Sequence, residues 1–182
     1  GYRSPDLVKR LNERVKKGTL IANDCGHGGE QGLASERIVT IPQIESWDNI
    51  NKLMLFVSAT CEFTRFDDPQ RYSAGEIMNL VGTGGAIALF STTRPITFNT
   101  NDILNRNLMY SILTREPGGA PKTLGQIMKE TKILTASGSD NYRCFMTVGD
   151  PGLRLAIPEF RVVADSINGV AISSGMTDTL RA

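Results

Sequence analysis

The chain is short of the residues that most simple chemistries need. Its 182 residues include one histidine and three cysteines. Three cysteines are too few, and odd in number, for a disulfide framework. Charge of one sign is also missing: 20 basic residues stand against 19 acidic ones, a net of +1. No electrostatic argument therefore favours nucleic acid or an anionic membrane. No apolar run approaches the roughly 20 residues of a membrane-spanning helix, and no leader peptide is evident at Gly1. The chain reads as an excerpt, opening on a helix and stopping at "DTLRA".

What is present suits a globular core, with 40% hydrophobic residues. Ser4 as cap, Pro5 at the first position, a stripe of Leu7, Val8, Leu11 and Val15, and Gly18 as stop predict a first helix. Three apolar runs follow, "TLIAN", "LMLFVSAT" and "GGAIALFSTT". Lacking strict alternation, they predict strands of a parallel sheet covered on both faces. Ser73 with Glu76, and Thr123 with Gln126, have capping-box spacing at two helix starts. Between them "NDILNRNLMYSIL" places Ile103, Leu104, Leu108 and Ile112 on one side of a helix. The alternation predicts an α/β layered fold. "GTGG" at residues 82–85 precedes a strand and reads as a turn rather than a phosphate loop. Beyond residue 158 the texture changes to "FRVVAD", Asn168-Gly169 and "VAIS", hairpin chemistry that suggests a second, β-type unit over 159–182.

The single histidine, His27, lies in "NDCGHGGE", just past the first predicted strand, and Cys61 lies just past the second, 34 positions on. In an open parallel sheet, ligands bind beyond the carboxyl ends of strands. If the two strands are neighbours, both side chains reach one rim. There an imidazole could take the thiol proton and return it to a leaving amine. Backbone N–H groups of Gly28 and Cys61 are candidate oxyanion donors. The bland alternatives are a turn histidine and a buried, inert cysteine. Cys144, in the alternating "YRCFMTV", fits the inert role as part of a packed strand. Cys25 would share a side with His27 in an extended segment, but it precedes the loop rather than ending a strand and ranks below Cys61. A metal set of Asp24, Cys25, His27 and Cys61 lacks the usual close ligand pairs, and the zinc deaminase pattern is not met. The expectation is no metal and no cofactor. Glu30, Glu36, Glu62, Asp67 and Asp68 are, by default, surface charges or caps.

Four blocks in this order, "LIANDCGHGGEQGLASERIVT", "LMLFVSATCEFTRFDDP", "SAGEIMNLVGTGGAIALFSTTRP" and "VGDPGLRLAIP", resemble the gingipain family of cysteine peptidases. The resemblance covers roughly residues 4–158 and is closest to the surface peptidases of type IX secretion in Bacteroidetes. It implies a caspase-like α/β fold with a mostly parallel sheet flanked by helices, in which residues 1–158 are the C-terminal part of the peptidase domain; residues 159–182 then read as the beginning of an Ig-like β-sandwich or a linker hairpin. It implies a Cys-His dyad of Cys61 and His27, with the amides of Gly28 and Cys61 stabilising the oxyanion. The loop Thr92–Pro95 falls where relatives shape the pocket for the residue before the cleaved bond, so Glu62, Thr92 and Arg94 are candidate lining residues. Implied partners are secreted proteins bearing a C-terminal sorting domain, other components of the secretion system and a surface glycolipid, with no nucleic acid. The implied location is the cell surface, outer membrane or exterior. Rival expectations are a secreted protease of broader reach and a non-catalytic, cargo-binding scaffold. In the relatives an acidic residue upstream of the histidine orients it, and this chain starts after that position. The fragment alone is therefore expected to be inactive.

Overall fold

The computed structural model describes residues 4–136, 140–157, 166–167 and 170–171. Its centre is a four-stranded sheet in the order β1-β5-β6-β7. These strands are β1 (Ile21–Cys25), β5 (Met54–Ala59), β6 (Ala86–Thr92) and β7 (Phe145–Val148). β1, β5 and β6 run parallel, and β7 closes the sheet antiparallel to β6. All six residues of β5 are buried, which is why its sequence is an apolar run without alternation.

The two faces of β5 have different covers. Leu55, Val57 and Ala59 face Leu104, Leu108 and Ile112 of α4 (Phe98–Leu113) and Leu124 and Ile127 of α5 (Leu124–Thr135). Met54 and Phe56 face Leu33, Val39, Ile44, Trp47 and Met78. That second cover is built from a small antiparallel sheet, β2 (Gly28–Gly29), β3 (Gly32–Leu33) and β4 (Val39–Thr40), with α2 (Ile41–Glu45) and α3 (Ala74–Leu80). Burying a Leu or Ile of these stripes contributes about 1.5–3 kcal/mol each. The helices are on opposite faces of a mostly parallel sheet, the layered α/β arrangement expected.

Local signals account for the element ends. Both capping boxes form, Ser73 with Glu76 and Thr123 with Gln126. Residues 82–85 form the turn into β6, and Gly85 there has φ +92°, a conformation that favours glycine. α1 (Pro5–Lys17) has Pro5 at its start and stops at Gly18, φ +97°, but Ser4 makes no side-chain cap. Of its stripe only Val15 is fully buried, and Leu7 is exposed. A groove of about 1180 Å³ separates α1 from β3, β4 and α2, lined by Val8, Leu33, Val39 and Ile41 among others. Asn12 bridges it at one end, accepting from Gln43 Nε2 (2.7 Å) and Trp47 Nε1 (3.0 Å).

Three expectations need correction. Ile103 is exposed while Leu104, Leu108 and Ile112 are buried; the stripe on α4 is one residue narrower than the pattern suggested. Cys144 ends a short helix, α6 (Asn141–Cys144), and the strand β7 begins only at Phe145. β1 extends to Cys25, so this cysteine does end a strand. Farther on, β8 (Ser166–Ile167) pairs antiparallel with β9 (Val170–Ala171), while Asn168, Gly169 and the rest of the expected β unit lie outside the described residues. Among the described residues no helix is long and apolar enough to cross a membrane.

Candidate active site

The register of the sheet sets the site. Cys25, the last residue of β1, pairs with Ala59, the last residue of the adjacent parallel strand β5. His27 and Cys61 therefore each stand two residues beyond the same registered pair, on strands about 4.8 Å apart. The Gly26 N–H still reaches the Ala59 carbonyl at 3.3 Å, so the two chains run together past the strand ends.

Alternation then decides which way the side chains project. On β5, Leu55, Val57 and Ala59 face α4 and α5, while Met54 and Phe56 face the opposite layer. On β1, Ile21 packs with the first group and Ala22 with the second. Continued by twos, the pattern puts Cys25, His27 and Cys61 on the α4 side, and Asp24, Gly28 and Thr60 on the other. Three contacts agree with it for Cys25, Gly28 and Cys61. A Cβ on Gly28 would lie 2.5 Å from Thr60 Oγ1 and 2.8 Å from Thr60 Cβ, so the chain at Gly28 rests directly on Thr60. Cys25 Sγ lies 3.7 Å from Asn101 Nδ2 of α4. Cys61 Sγ meets the backbone of Ile96, just before α4: it accepts from the Ile96 N–H at 3.5 Å and lies 3.7 Å from the Ile96 carbonyl.

The turn after the nucleophile candidate is abrupt. Glu62 has φ +52°, a left-handed conformation that a non-glycine residue adopts at a cost of about 1–2 kcal/mol. Bonds to the end of β6 hold it: Thr64 N–H to the Thr92 carbonyl at 3.0 Å and Glu62 N–H to the Arg94 carbonyl at 3.4 Å. Thr92 is buried, and its hydroxyl donates to the Thr60 carbonyl. It thus props the Cys61 turn from beneath instead of lining an open pocket. Arg94 is exposed and bonded to Asp67, with Nη1 3.0 Å from Oδ1; its guanidinium pulls the Asp67 carboxyl below the ordinary carboxylate range. Arg94 is neutralised in place. Glu62 is 3.6 Å from Arg65.

Backbone donors are present. The Cys61 N–H donates to no described backbone or side-chain acceptor. In the β2–β3 ladder the Ala34 N–H bonds to the His27 carbonyl at 2.8 Å, so Gly28 opposite Leu33 is a non-hydrogen-bonded pair. Its N–H points away from β3. His27 itself is exposed, and no described side chain or backbone group bonds its imidazole. Cys61 is half-buried and Cys25 exposed.

The metal quartet is split by the same parity, since Asp24 lies on the face opposite His27. Asp24 Oδ2 is buried without a partner, and burial pushes its carboxyl pKa up. Among the described residues no three His, Cys, Asp or Glu side chains gather to hold a metal ion.

Sequence reasoning missed three contributors. Ile96 acts through its amide, which no residue type signals. Asn101, 3% exposed, donates to the Ala59 carbonyl and approaches Cys25. Glu30, taken as a surface charge, has a side chain only 13% exposed, paired to two arginines; "GGE" followed by "RFDDPQR" carried the charge signal, but not the approach of the two loops.

Fold and site together define a layered α/β protein with a thiol and an imidazole just past the carboxyl ends of two adjacent parallel strands. The chain belongs to peptidase family C25, whose family model matches residues 1–156. Among solved structures it is similar to the complex of the RgpB pro- and mature domains of Porphyromonas gingivalis, at 16% identity and TM-score 0.72 over 85% of this chain. It is similar also to the Arg-specific cysteine proteinase gingipain R, RgpB, at 16% identity and TM-score 0.68, again over 85% of this chain. Both likenesses cover 37% of the matched chain, so this chain spans little more than a third of the length of those structures. No curated protein sequence matches the chain. The sheet with helices on both faces is thus that of the gingipain domain, in part.

Proposed function

We propose that this chain carries the nucleophile and base of a cysteine peptidase, with Cys61 attacking a peptide carbonyl and His27 moving the proton. The observation that carries the reading is the matched placement of the two residues, each two positions past the Cys25–Ala59 pair of adjacent parallel strands. Membership of family C25 supports it. His27 takes the Cys61 proton as the thiolate attacks, and the tetrahedral oxyanion is held by the N–H groups of Cys61 and Gly28. Collapse breaks the peptide bond and His27 returns the proton to the leaving amine, leaving an acyl-enzyme on Sγ. Water, or an amine, then releases the acyl group. The Ile96 N–H steadies the thiolate between turnovers.

The finer reading is a PorU-like role at the cell surface or outer membrane of a Bacteroidetes bacterium: removal of C-terminal sorting domains from type IX cargo, with transfer of the new carboxyl end to a surface glycolipid. It rests on the likeness of the four sequence blocks, as does the peptidase portion (1–158); the start of a β-sandwich or a linker hairpin over 159–182 rests on the turn chemistry there, which the pairing of Ser166–Ile167 with Val170–Ala171 supports. The alternatives are a secreted protease and a non-catalytic cargo-binding module. The test uses the full-length protein and a secreted substrate bearing its sorting domain, with and without an amine acceptor. Cleavage lost in Cys61→Ala establishes the peptidase, and acceptor incorporation establishes transfer. Binding without cleavage would leave the scaffold reading in its place.

A further inference from the structure

The strand ladder between β1 and β5 ends at Gly26, one residue before His27, so something else must fix the two loops to each other. That fixation is concentrated at Glu30. Its Oε1 lies 2.9 Å from Arg65 Nη1, and its Oε2 lies 3.0 Å from Arg71 Nε. Its backbone carbonyl accepts the Ala74 N–H at 2.7 Å, at the first residue of α3. Both arginines belong to the segment between Cys61 and α3. Arg65 continues the chain of charges to Glu62, the residue after Cys61, at 3.6 Å, and to Asp67 at 3.9 Å. Asp67 holds Arg94, two residues before the Ile96 amide that meets Sγ.

Exposed ion pairs are worth little in general. This one differs because Glu30 is largely covered, accepts a charge-assisted hydrogen bond from Arg65 Nη1, and forms an ion pair with Arg71, whose Nε–H is donated to Asp68. It also sits three residues from His27, in the turn that follows Gly28, the residue that rests on Thr60.

We propose that Glu30, clamped by Arg65 and Arg71, is a positioning residue that sets His27 against Cys61. The inference rests on the reading of these two as a catalytic pair. Glu30→Gln keeps the shape of the side chain and removes its charge, releasing Arg65 toward Glu62 and Asp67. The His27 loop then keeps the Gly26 bond, the Gly28 contact, the Ala74 bond and the packing of Leu33, and loses the charge that draws Arg65 and Arg71 to it.

The test is the pH profile of Cys61 alkylation by iodoacetamide between about pH 5 and 9, read by peptide mass mapping with Cys144 as internal reference, beside a thermal melt. Glu30→Gln is expected to slow Cys61 about tenfold near neutral pH, the scale of a sub-ångström misplacement, and to move its profile toward that of His27→Ala while Cys144 is unchanged. If Glu30→Gln folds poorly, Arg65→Lys, which keeps the charge and loses the forked geometry, serves the same readout with a smaller expected loss. A profile that superimposes on the unmutated protein, whatever the melting temperature does, overturns the proposal. So does equal slowing of Cys61 and Cys144, which marks general loosening. Failure of the pair itself is separate: there His27→Ala leaves the unmutated profile in place.

Discussion

Gly28→Ala is the substitution whose outcome the structure specifies most closely. A methyl group there would lie 2.5 Å from Thr60 Oγ1, 2.8 Å from Thr60 Cβ and 3.1 Å from Leu33 Cδ2. Real Cβ atoms do not approach that closely, and Thr60 is buried, with its hydroxyl 2.8 Å from Ser58 Oγ. Neither neighbour can swing into solvent, so the backbone must shift. Overpacking of this kind costs about 1–3 kcal/mol, and each kcal/mol lowers the melting temperature of a chain this size by about 2–4 °C. The adjacent glycine supplies the control, because a Cβ on Gly29 meets nothing within 4 Å. Urea or thermal unfolding of the two variants should therefore separate them, with Gly29→Ala near the unmutated protein. Because Thr60 precedes Cys61, Gly28→Ala should also blunt the His27-dependent part of Cys61 alkylation. Equal effects of the two substitutions, or a silent Gly28→Ala, would refute the close approach of the two loops.

Two further outcomes follow from shifted titrations. The Cys25 thiol, exposed at its surface but partly desolvated by its neighbours, is held above its ordinary pKa first by that desolvation and then by the negative charges of Asp102 and Asp24, so Asp102→Asn should speed Cys25 alkylation near pH 8; an unchanged rate would contradict the electrostatic cause. Asp24 keeps its proton to higher pH in the folded protein than in the unfolded chain, because burial disfavours its charge. Stability then falls as pH rises from the ordinary value of 3.8 through the raised folded one. Asp24→Asn should accordingly raise the urea midpoint at neutral pH and do little at acid pH, and a lower midpoint at pH 7 would show that the carboxylate has a partner after all.

Much of the layer structure was legible because its signals are local. The apolar run ending at Ala59 is buried on every side chain, and both capping boxes lie within four consecutive residues. The placement of His27 and Cys61 at strand ends could likewise be read from where the runs stop. Their matched positions could not, since these depend on the register of Cys25 against Ala59, a pairing between segments 34 residues apart. Cys144 was misassigned because "YRCFMTV" alternates as a strand does, while a single helical turn takes its first residues. Thr92 looked like pocket lining from its position after a strand, yet its hydroxyl turns inward to the Thr60 carbonyl. Glu30 and Ile96 act through contacts at sequence separations of 35, one an ion pair and one a backbone amide. Neither kind of contact leaves a mark in residue type alone.

Activation of Cys61 by His27 is read out by mild alkylation mapped residue by residue. Cys61 should be the first thiol labelled near neutral pH, and His27→Ala should slow it while leaving Cys144 unchanged. Preferential labelling of Cys144, or a Cys61 rate indifferent to His27→Ala, would contradict it.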